Sequence, residues 1–410
     1  MNARLRVVVF AAGSLAVLLG TVRLSPALQS RPARFIYAWA GSGMHDSAGI
    51  NMIAVFDADP ASARYGRVIG ALTVDSAGRM PHHSEFSAPE NGSLFVNDFG
   101  ADKSYLIDMA DAAHPRLDGR MDAIPGARQA HSFARLPNHH VLATVQFGDG
   151  MRDGDPGVLA EFDANGKLLR YSSAADSAFA GARLRPYGLA ALPAIDRVVT
   201  TSSPMGNERT ANVVQIWRLS DLRLLKTLPV PVVEGDSLHM YPFELRTLAD
   251  QRTVMMNTYY CGFYTITNLS SDPKITAVMR MAHPKNIGCS VPIISGRFML
   301  MPIAYAHRFA TIDISDPLRP REVQSLQMDS TFFPHWASGE AGGNRVVVTD
   351  QGDGPPRMLV GHLDQTTGKL SWDERFRDPG SNRAGISFDK ASWPNGFKGI
   401  AMPHGAIFVR

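Results

Sequence analysis

The sequence predicts an all-β protein, a seven-bladed β-propeller closed by an inner strand from its C-terminus. From residue 33 onward, short runs rich in β-branched and aromatic residues alternate with Gly, Pro, Asn and Asp, which is typical of strands and turns. Six segments share one outline and recur every 46 to 56 residues. The final segment, "HGAIFVR", repeats the beginning of that outline.

The N-terminal segment differs in composition from the rest of the chain. Arg4 and Arg6 precede an apolar run over residues 7–22, and small residues follow near Ser25–Ala27. This order predicts a bacterial-type export signal over residues 1–30, with an uncleaved signal anchor as the alternative. The apolar run is shorter than the roughly 20 residues that span a bilayer. We therefore expect residues 31–410 to be periplasmic or secreted, without stable membrane insertion after cleavage.

Charge and motifs exclude several classes of function. The formal net charge is +3 with both signs interspersed, so no basic stripe for nucleic acid is present. The sequence contains no phosphate-binding loop, dinucleotide-binding glycine motif or nucleophile elbow. The two cysteines, Cys261 and Cys289, are candidates for a disulfide in an oxidising compartment, although their proximity cannot be read from sequence.

The six repeated segments predict six complete blades. Each begins with a lead residue, continues through a turn, and reaches a strong strand; "HSFARLPNHHVLAT" is an example. Further strands follow each segment, and four strands in about 50 residues are typical of a propeller blade. The six lead residues are His83, His131, Tyr187, Phe243, Cys289 and His335.

The seventh blade is predicted to combine both ends of the chain. "RFIYAWA", "NMIAVFDA" and "GRVIGALTV" supply three strands before the first complete blade, and the run from His404 supplies the missing inner strand. Such closure removes an open sheet edge and secures both ends.

The lead positions predict a metal site on the propeller axis. Inner strands line the central channel, and closure places His335, His404, His83 and His131 on four consecutive blades. Imidazole is a common ligand of copper, iron and zinc, and a channel can leave one coordination position open. Because the alignment is uncertain by one residue, His82 could replace His83. The alternative is that these rings only cap strands or bind loop carbonyls.

Two further residues are predicted to have catalytic roles. Glu85 lies two residues after His83, hence on the same strand face, and could orient a ligand ring or act as a base. An inter-blade salt bridge is the alternative for Glu85. Tyr187 is expected either to bind substrate or to pack the channel, with Phe243 beside it. Glu244 and Arg246 in "PFELR" are expected to form a buried inter-blade ion pair.

Several motifs resemble one protein family. "AVFDADPASARYGRVIGAL" followed by "PHHSEFS" and "SYLIDMADAAHPRL" is similar to the opening of the selenium-binding protein / methanethiol oxidase family. "HSFARLPNHHVLATVQFGDG", "YPFELR" and "DISDPLRPREV" follow in the family's order, the last being the most specific. The family's selenium-associated cysteine would lie near "IYAWAGS", where this chain has Trp39 and Ala40.

The resemblance implies a seven-bladed propeller and a copper-dependent oxidase. The implied reaction converts methanethiol, O2 and water to formaldehyde, hydrogen sulfide and hydrogen peroxide. His82, His83 and His131 stand at matching histidine positions. We therefore predict a periplasmic oxidase with copper, or alternatively iron or zinc, acting on a small thiol. The alternatives are a non-catalytic propeller that binds a protein or ligand, and a metal-assisted lyase or hydrolase.

Overall fold

The computed structural model describes residues 32–43, 48–148, 155–205, 209–233, 240–281, 288–352 and 354–410. The predicted export segment, residues 1–30, lies outside this part of the chain. Within the described ranges, no helix has the length and apolar character needed to cross a bilayer.

The predicted propeller is confirmed: seven antiparallel sheets make up the blades of the described chain. In the complete blades other than blade 6, the strand that carries the lead position is innermost, and each strand pairs with the next one along the chain. Blade 1 consists, from inside to outside, of β31 (Met402–Val409), β1 (Phe35–Gly41), β2 (Gly49–Asp57) and β3 (Val68–Gly78). Blade 2 consists of β4 (Pro81–Ser84), β5 (Leu94–Asp98), β6 (Lys103–Asp108) and β7 (Arg116–Arg120). Blade 3 consists of β8 (Arg128–Arg135), β9 (Val141–Phe147), β10 (Val158–Phe162) and β11 (Leu168–Ser173).

The remaining four blades follow the same order. Blade 4 consists of β12 (Pro186–Leu192), β13 (Arg197–Ser202), β14 (Val213–Arg218) and β15 (Leu224–Pro229). Blade 5 consists of β16 (Pro242–Thr247), β17 (Val254–Thr258), β18 (Gly262–Thr267) and β19 (Lys274–Arg280). Blade 6 consists of β20 (Ile293–Ser295), β21 (Phe298–Ile303), β22 (Arg308–Asp313) and β23 (Arg321–Gln327). Blade 7 consists of β24 (Pro334–Gly339), β25 (Arg345–Asp350), β26 (Arg357–Leu363) and β27 (Leu370–Trp372), with β28 (Ile386–Ser387) paired to β26.

The C-terminal strand closes the ring, as predicted. β31 pairs antiparallel with β1, so that Tyr37 lies opposite Ile407 and Phe35 opposite Val409. The amide of Arg34 donates a hydrogen bond to the carbonyl of Val409 at 3.0 Å. Ile407 is buried because both faces of an inner strand are covered by neighbouring blades.

The hydrophobic core is divided into seven clusters, each lying between two neighbouring blades. The cluster between blades 7 and 1, for example, joins Val347 and Met358 to Phe56 and Phe408. The middle strands are therefore apolar on both faces, whereas an outer strand such as β11 alternates between partly buried and exposed residues.

A side-chain hydrogen bond between neighbouring blades recurs around the ring. An Asn or Thr on the second strand donates to the carbonyl of the next blade's lead residue, which fixes the height of that residue on the axis. Blade 6 has Pro302 at the position of this Asn or Thr, and its side chain cannot donate. The carbonyl of Pro302 accepts a hydrogen bond from the amide of Ser290. The five bonds are Asn97 to His131 (3.1 Å), Thr144 to Tyr187 (2.7 Å), Thr201 to Phe243 (2.6 Å), Asn257 to Cys289 (3.3 Å) and Thr349 to His404 (2.7 Å).

Blade 6 departs from the predicted outline at its inner strand. Cys289 makes only an isolated bridge to Ile303, and the strand itself starts later, at Ile293. Pro292 has no N–H to donate, which interrupts the ladder at this point. Cys289 is instead bonded to Cys261 in a disulfide that joins blades 5 and 6.

An insertion before the closing strand was not predicted. It contains β28 and a hairpin of β29 (Asp389–Lys390) and β30 (Gly399–Ile400). Phe388 and Trp393 of this insertion are buried, and the Phe388 ring lies 5.4 Å from that of Phe56 in blade 1. The insertion thus extends the core that joins blades 7 and 1.

We predict that Ile407→Ala lowers the free energy of unfolding by about 2 to 5 kcal/mol, because it leaves a cavity in the closing strand. Urea unfolding followed by circular dichroism measures this change. Ile400→Ala is the matched control: Ile400 is 44% exposed, so its truncation should change stability by less than about 0.5 kcal/mol. Equal effects of the two substitutions would contradict a closing role for β31.

Candidate metal centre

Five histidine rings meet on the axis, on the inner strands of four consecutive blades. The Nε2 atoms of His82 and His131 are 3.0 Å apart, and so are those of His335 and His404. The rings of His82 and His404, 4.1 Å apart between centroids, connect the two pairs. His335 is partly buried, whereas the other four are buried. The structure therefore brings together every histidine that the sequence nominated.

His82 and His83 both take part in the cluster, although they are consecutive residues of a strand. Their rings stack with centroids 4.4 Å apart, and the His83 ring lies 4.3 Å from that of His131. The register of β4 against β5 shifts between Pro81 and Ser84. Such an irregularity breaks the usual alternation of side chains, which explains how two neighbours reach one site.

Three of these histidines could hold a metal ion. Ligand nitrogens of His82, His83 and His404 all lie within 4.8 Å of one another. His83 Nε2 and His404 Nδ1 are buried and have no hydrogen-bond partner among the described residues. An unpaired buried polar atom is costly, and a cation would satisfy an unpaired nitrogen lone pair. The donor set therefore fits a metal.

Burial keeps the imidazoles neutral. It lowers the pKa of His82, His83 and His404 well below 6.5, and the neighbouring rings lower it further. The pKa of His131 falls to about 3 and that of His335 to about 4, again because of burial. A neutral ring retains the lone pair that a metal ligand needs.

Hydrogen bonds to neighbouring residues fix the orientation of the rings. Ser132 Oγ lies 3.0 Å from Nδ1 of His131 and 3.2 Å from Nδ1 of His83, and so connects the two rings. The Asn97 amide accepts from the His83 backbone N–H at 2.6 Å and donates to the carbonyl of His131. Partners of this kind position metal-binding histidines and select their tautomers.

Aromatic rings surround the cluster. On one side, the Tyr187 ring lies 3.7 Å from that of His131, and Phe243 lies 4.4 Å from Tyr187. Burial raises the pKa of Tyr187 well above 10, so it remains a neutral phenol. Phe99 covers the rings of His82 and His131 at 5.7 and 6.1 Å.

The other side of the cluster is covered by Phe86 and Trp336. Their rings stack at 4.7 Å with an interplanar angle of 9°, and His83 points its ring at the face of Trp336 from 5.2 Å. Trp336 Nε1 donates to the carbonyl of Ala406 in the closing strand at 3.1 Å. One feature of the sequence could have pointed to Trp336: it directly follows the lead residue His335.

Glu85 lies in an ion pair with the neighbouring blade. Its Oε1 and Oε2 accept hydrogen bonds from Nε and Nη2 of Arg135, both at 2.8 Å, and Oε2 also accepts from the amide of Phe95. Of the two roles that the sequence leaves open for Glu85, this contact fits the inter-blade salt bridge. A catalytic role for Glu85 stays a prediction.

Glu244 and Arg246 also form the expected ion pair, but within one strand. Arg246 Nη1 donates to Glu244 Oε2 at 2.9 Å, and both residues belong to β16. The bond across the blade boundary runs instead from Arg246 Nε to the carbonyl of Pro292, at 2.7 Å. The inter-blade assignment was wrong because residues two apart on a strand face the same way.

Fold and site together define a seven-bladed propeller with a cluster of buried histidines on its axis. No protein-family model matches the chain. A methanethiol oxidase from Hyphomicrobium is 24% identical over 360 residues, covering 79% of this chain and 77% of the relative. A hypothetical selenium-binding protein from Sulfolobus tokodaii superposes with a TM-score of 0.73 at 15% identity, covering 92% and 93% of the two chains. A periplasmic gluconolactonase from Pseudomonas aeruginosa has a TM-score of 0.62 at 14% identity, covering 92% and 99%.

These findings confirm the resemblance that the sequence motifs indicated. The chain resembles the selenium-binding protein / methanethiol oxidase family along most of its length. The gluconolactonase shares the fold alone.

We predict that the metal-free protein loses stability steeply as the pH falls from about 6.5 towards 4. The unfolded chain binds protons at its histidines in this window, whereas the lowered pKa values keep the clustered rings neutral in the folded protein, so acid favours unfolding. Urea titrations at several pH values measure the slope. His404→Gln should reduce it by one ring's share, and His139→Asn, at an exposed turn, should leave it unchanged. A slope unaffected by His404→Gln would contradict burial of a neutral ring.

Proposed function

We propose that the protein is a copper-dependent oxidase of a small thiol, using O2 at the histidine cluster. The observation that carries this proposal is the convergence of five neutral imidazoles, four of them buried, with two unpartnered nitrogens. The similarity to a methanethiol oxidase supports the choice of substrate and reaction.

The ligand chemistry favours copper. Imidazole nitrogens suit copper, iron and zinc, but zinc has no redox chemistry. Copper, when bound, supplies the one-electron steps that couple oxidation of a thiol to reduction of O2. His82, His83 and His404 would hold the ion, and His131 and His335 lie next to them.

The chain's own residues shape the surroundings of that reaction. Tyr187 and Phe243 present an apolar wall that suits a methyl group, and Phe99 covers the cluster above two of its rings. Aromatic walls keep water away from the histidines and strengthen electrostatic interactions among the groups inside. Ser132 and Asn97 hold His83 and His131 in place while the substrate binds.

The proposed oxidase works outside the cytoplasm. The predicted export signal over residues 1–30 supports this location, and a buried Cys261–Cys289 disulfide suits an oxidising compartment. Cell fractionation with N-terminal sequencing of the mature protein tests it: cleavage near Ser25–Ala27 is expected, and an intact cytoplasmic chain would contradict it.

We predict that the copper-loaded protein consumes O2 with methanethiol and releases sulfide and peroxide. His404→Ala removes a ligand and little core volume, so it should lose stoichiometric copper and lower the oxidase rate at least about 100-fold while the ring stays folded. Elemental analysis, an oxygen electrode and circular dichroism measure the three effects. His362→Ala, on β26, the third strand of blade 7, should retain metal and rate.

Three outcomes would contradict the proposal. Full copper occupancy in His404→Ala would contradict the assignment of His404 as a copper ligand. A wild-type protein that holds no transition metal after loading would favour a binding propeller. A metal-loaded protein that takes up no O2 with any small thiol would favour a hydrolase or lyase.

A further inference from the structure

A second polar group lies near the axis, on the inner strand of blade 5. The Glu244 side chain has no exposed surface, and that of Arg246 is 12% exposed. The Arg246 guanidinium stacks 4.0 Å above the ring of Phe86, the residue that covers one side of the histidine cluster. The ring of Phe86 is itself 6.2 Å from that of His83. One aromatic ring therefore separates this ion pair from the candidate metal centre.

The ion pair leaves one acceptor and one donor unused. Glu244 Oε1 and Arg246 Nη2 are both buried and have no hydrogen-bond partner among the described residues. Leaving such atoms unpaired is costly, especially when they are charged, so native structures seldom retain them without a ligand or water. A molecule that satisfies both must donate to a carboxylate and accept from a guanidinium. An anion meets only the second requirement, whereas water meets both.

The pair also lies close to the aromatic wall of the centre. Gly188 follows Tyr187, and a Cβ atom at Gly188 would lie 3.2 Å from Glu244 Cα and collide with the carbonyl of Phe243. Blades 4 and 5 therefore approach each other closely here, with Glu244 next to the lead positions.

We propose that Glu244 and Arg246 bind the water molecule that the oxidase consumes, and that Glu244 is the base that activates it. This inference rests on the proposed function, since it assigns the hydrolytic half of that reaction. In the oxidative half, methanethiol loses two electrons and two protons to O2, which yields hydrogen peroxide and a thiocarbonyl, CH2=S. In the second half, CH2=S and water give formaldehyde and hydrogen sulfide.

In the hydrolytic half, Glu244 accepts and returns each proton that is transferred. The carboxylate takes a proton from water as the oxygen bonds to carbon, and the C=S electron pair moves to sulfur. Glu244 returns that proton to sulfur and accepts the remaining hydroxyl proton as C=O forms, and the C–S bond breaks. The leaving hydrosulfide ion then takes this last proton from Glu244, which gives hydrogen sulfide and restores the carboxylate. Burial raises the pKa of Glu244, which makes it a stronger base than an exposed carboxylate.

Glu244→Gln tests the inference because it keeps the side-chain shape and removes the base. In a single turnover of copper-loaded enzyme, the wild type should release peroxide and sulfide in step. In Glu244→Gln we expect peroxide at close to the wild-type rate and sulfide delayed about 100-fold, with copper content unchanged. Glu161→Gln is the matched control, a buried carboxylate paired with Arg170 on blade 3, and should keep the two products in step.

The outcomes separate this inference from the proposed function. If the wild type forms no peroxide from methanethiol, the proposed function fails. If it does, and Glu244→Gln releases sulfide in step with peroxide, Glu244 is not the base. A wild-type crystal structure at high resolution tests the binding step without activity and decides the matter if the variant does not fold. Density for a water between Glu244 Oε1 and Arg246 Nη2 is expected, and its absence would overturn the inference.

Discussion

The antiparallel pairing of β31 with β1 is the constraint on which the candidate centre depends. It places His404 beside His82, 322 positions earlier in the chain, and brings the Nε2 atoms of His335 and His404 to 3.0 Å. The carbonyls of Ala406 and His404 in β31 accept hydrogen bonds from blade 7, so the closing strand is held by both of its neighbours. The pairing that closes the ring therefore also completes the histidine cluster.

The histidine cluster is energetically unfavourable in a protein without a ligand, because it buries nitrogen atoms that lack a hydrogen-bond partner. Five imidazole rings lie close together, four of them buried, and two of their nitrogens have no partner among the described residues. Seven apolar clusters between blades supply the stability that such a group requires, because each blade buries both faces of its middle strands. The inter-blade bonds from Asn and Thr side chains then set the height of each lead residue on the axis.

Aromatic residues divide the region around the axis into two chemical compartments. Tyr187 and Phe243 give the histidines an apolar wall, and Phe86 lies between the His83 ring and the Arg246 guanidinium. In the reaction we propose, the histidines would carry the oxidative step and Glu244 the hydrolytic step. The arrangement is consistent with a reaction that consumes both O2 and water.

The blade count, the composite first blade and the ring order of the histidines follow from the sequence alone, because strand period and repeat spacing are local properties. The inter-blade hydrogen bonds also leave a sequence pattern: Asn or Thr stands 13 or 14 residues after the lead in five of the six complete blades. Only the tertiary structure decided that His82 and His83 both face the axis, that Glu85 pairs with Arg135, and that Cys289 bonds Cys261. These outcomes depend on a strand irregularity and on contacts between blades, which join residues 28 to 50 positions apart and cannot be read from the local pattern.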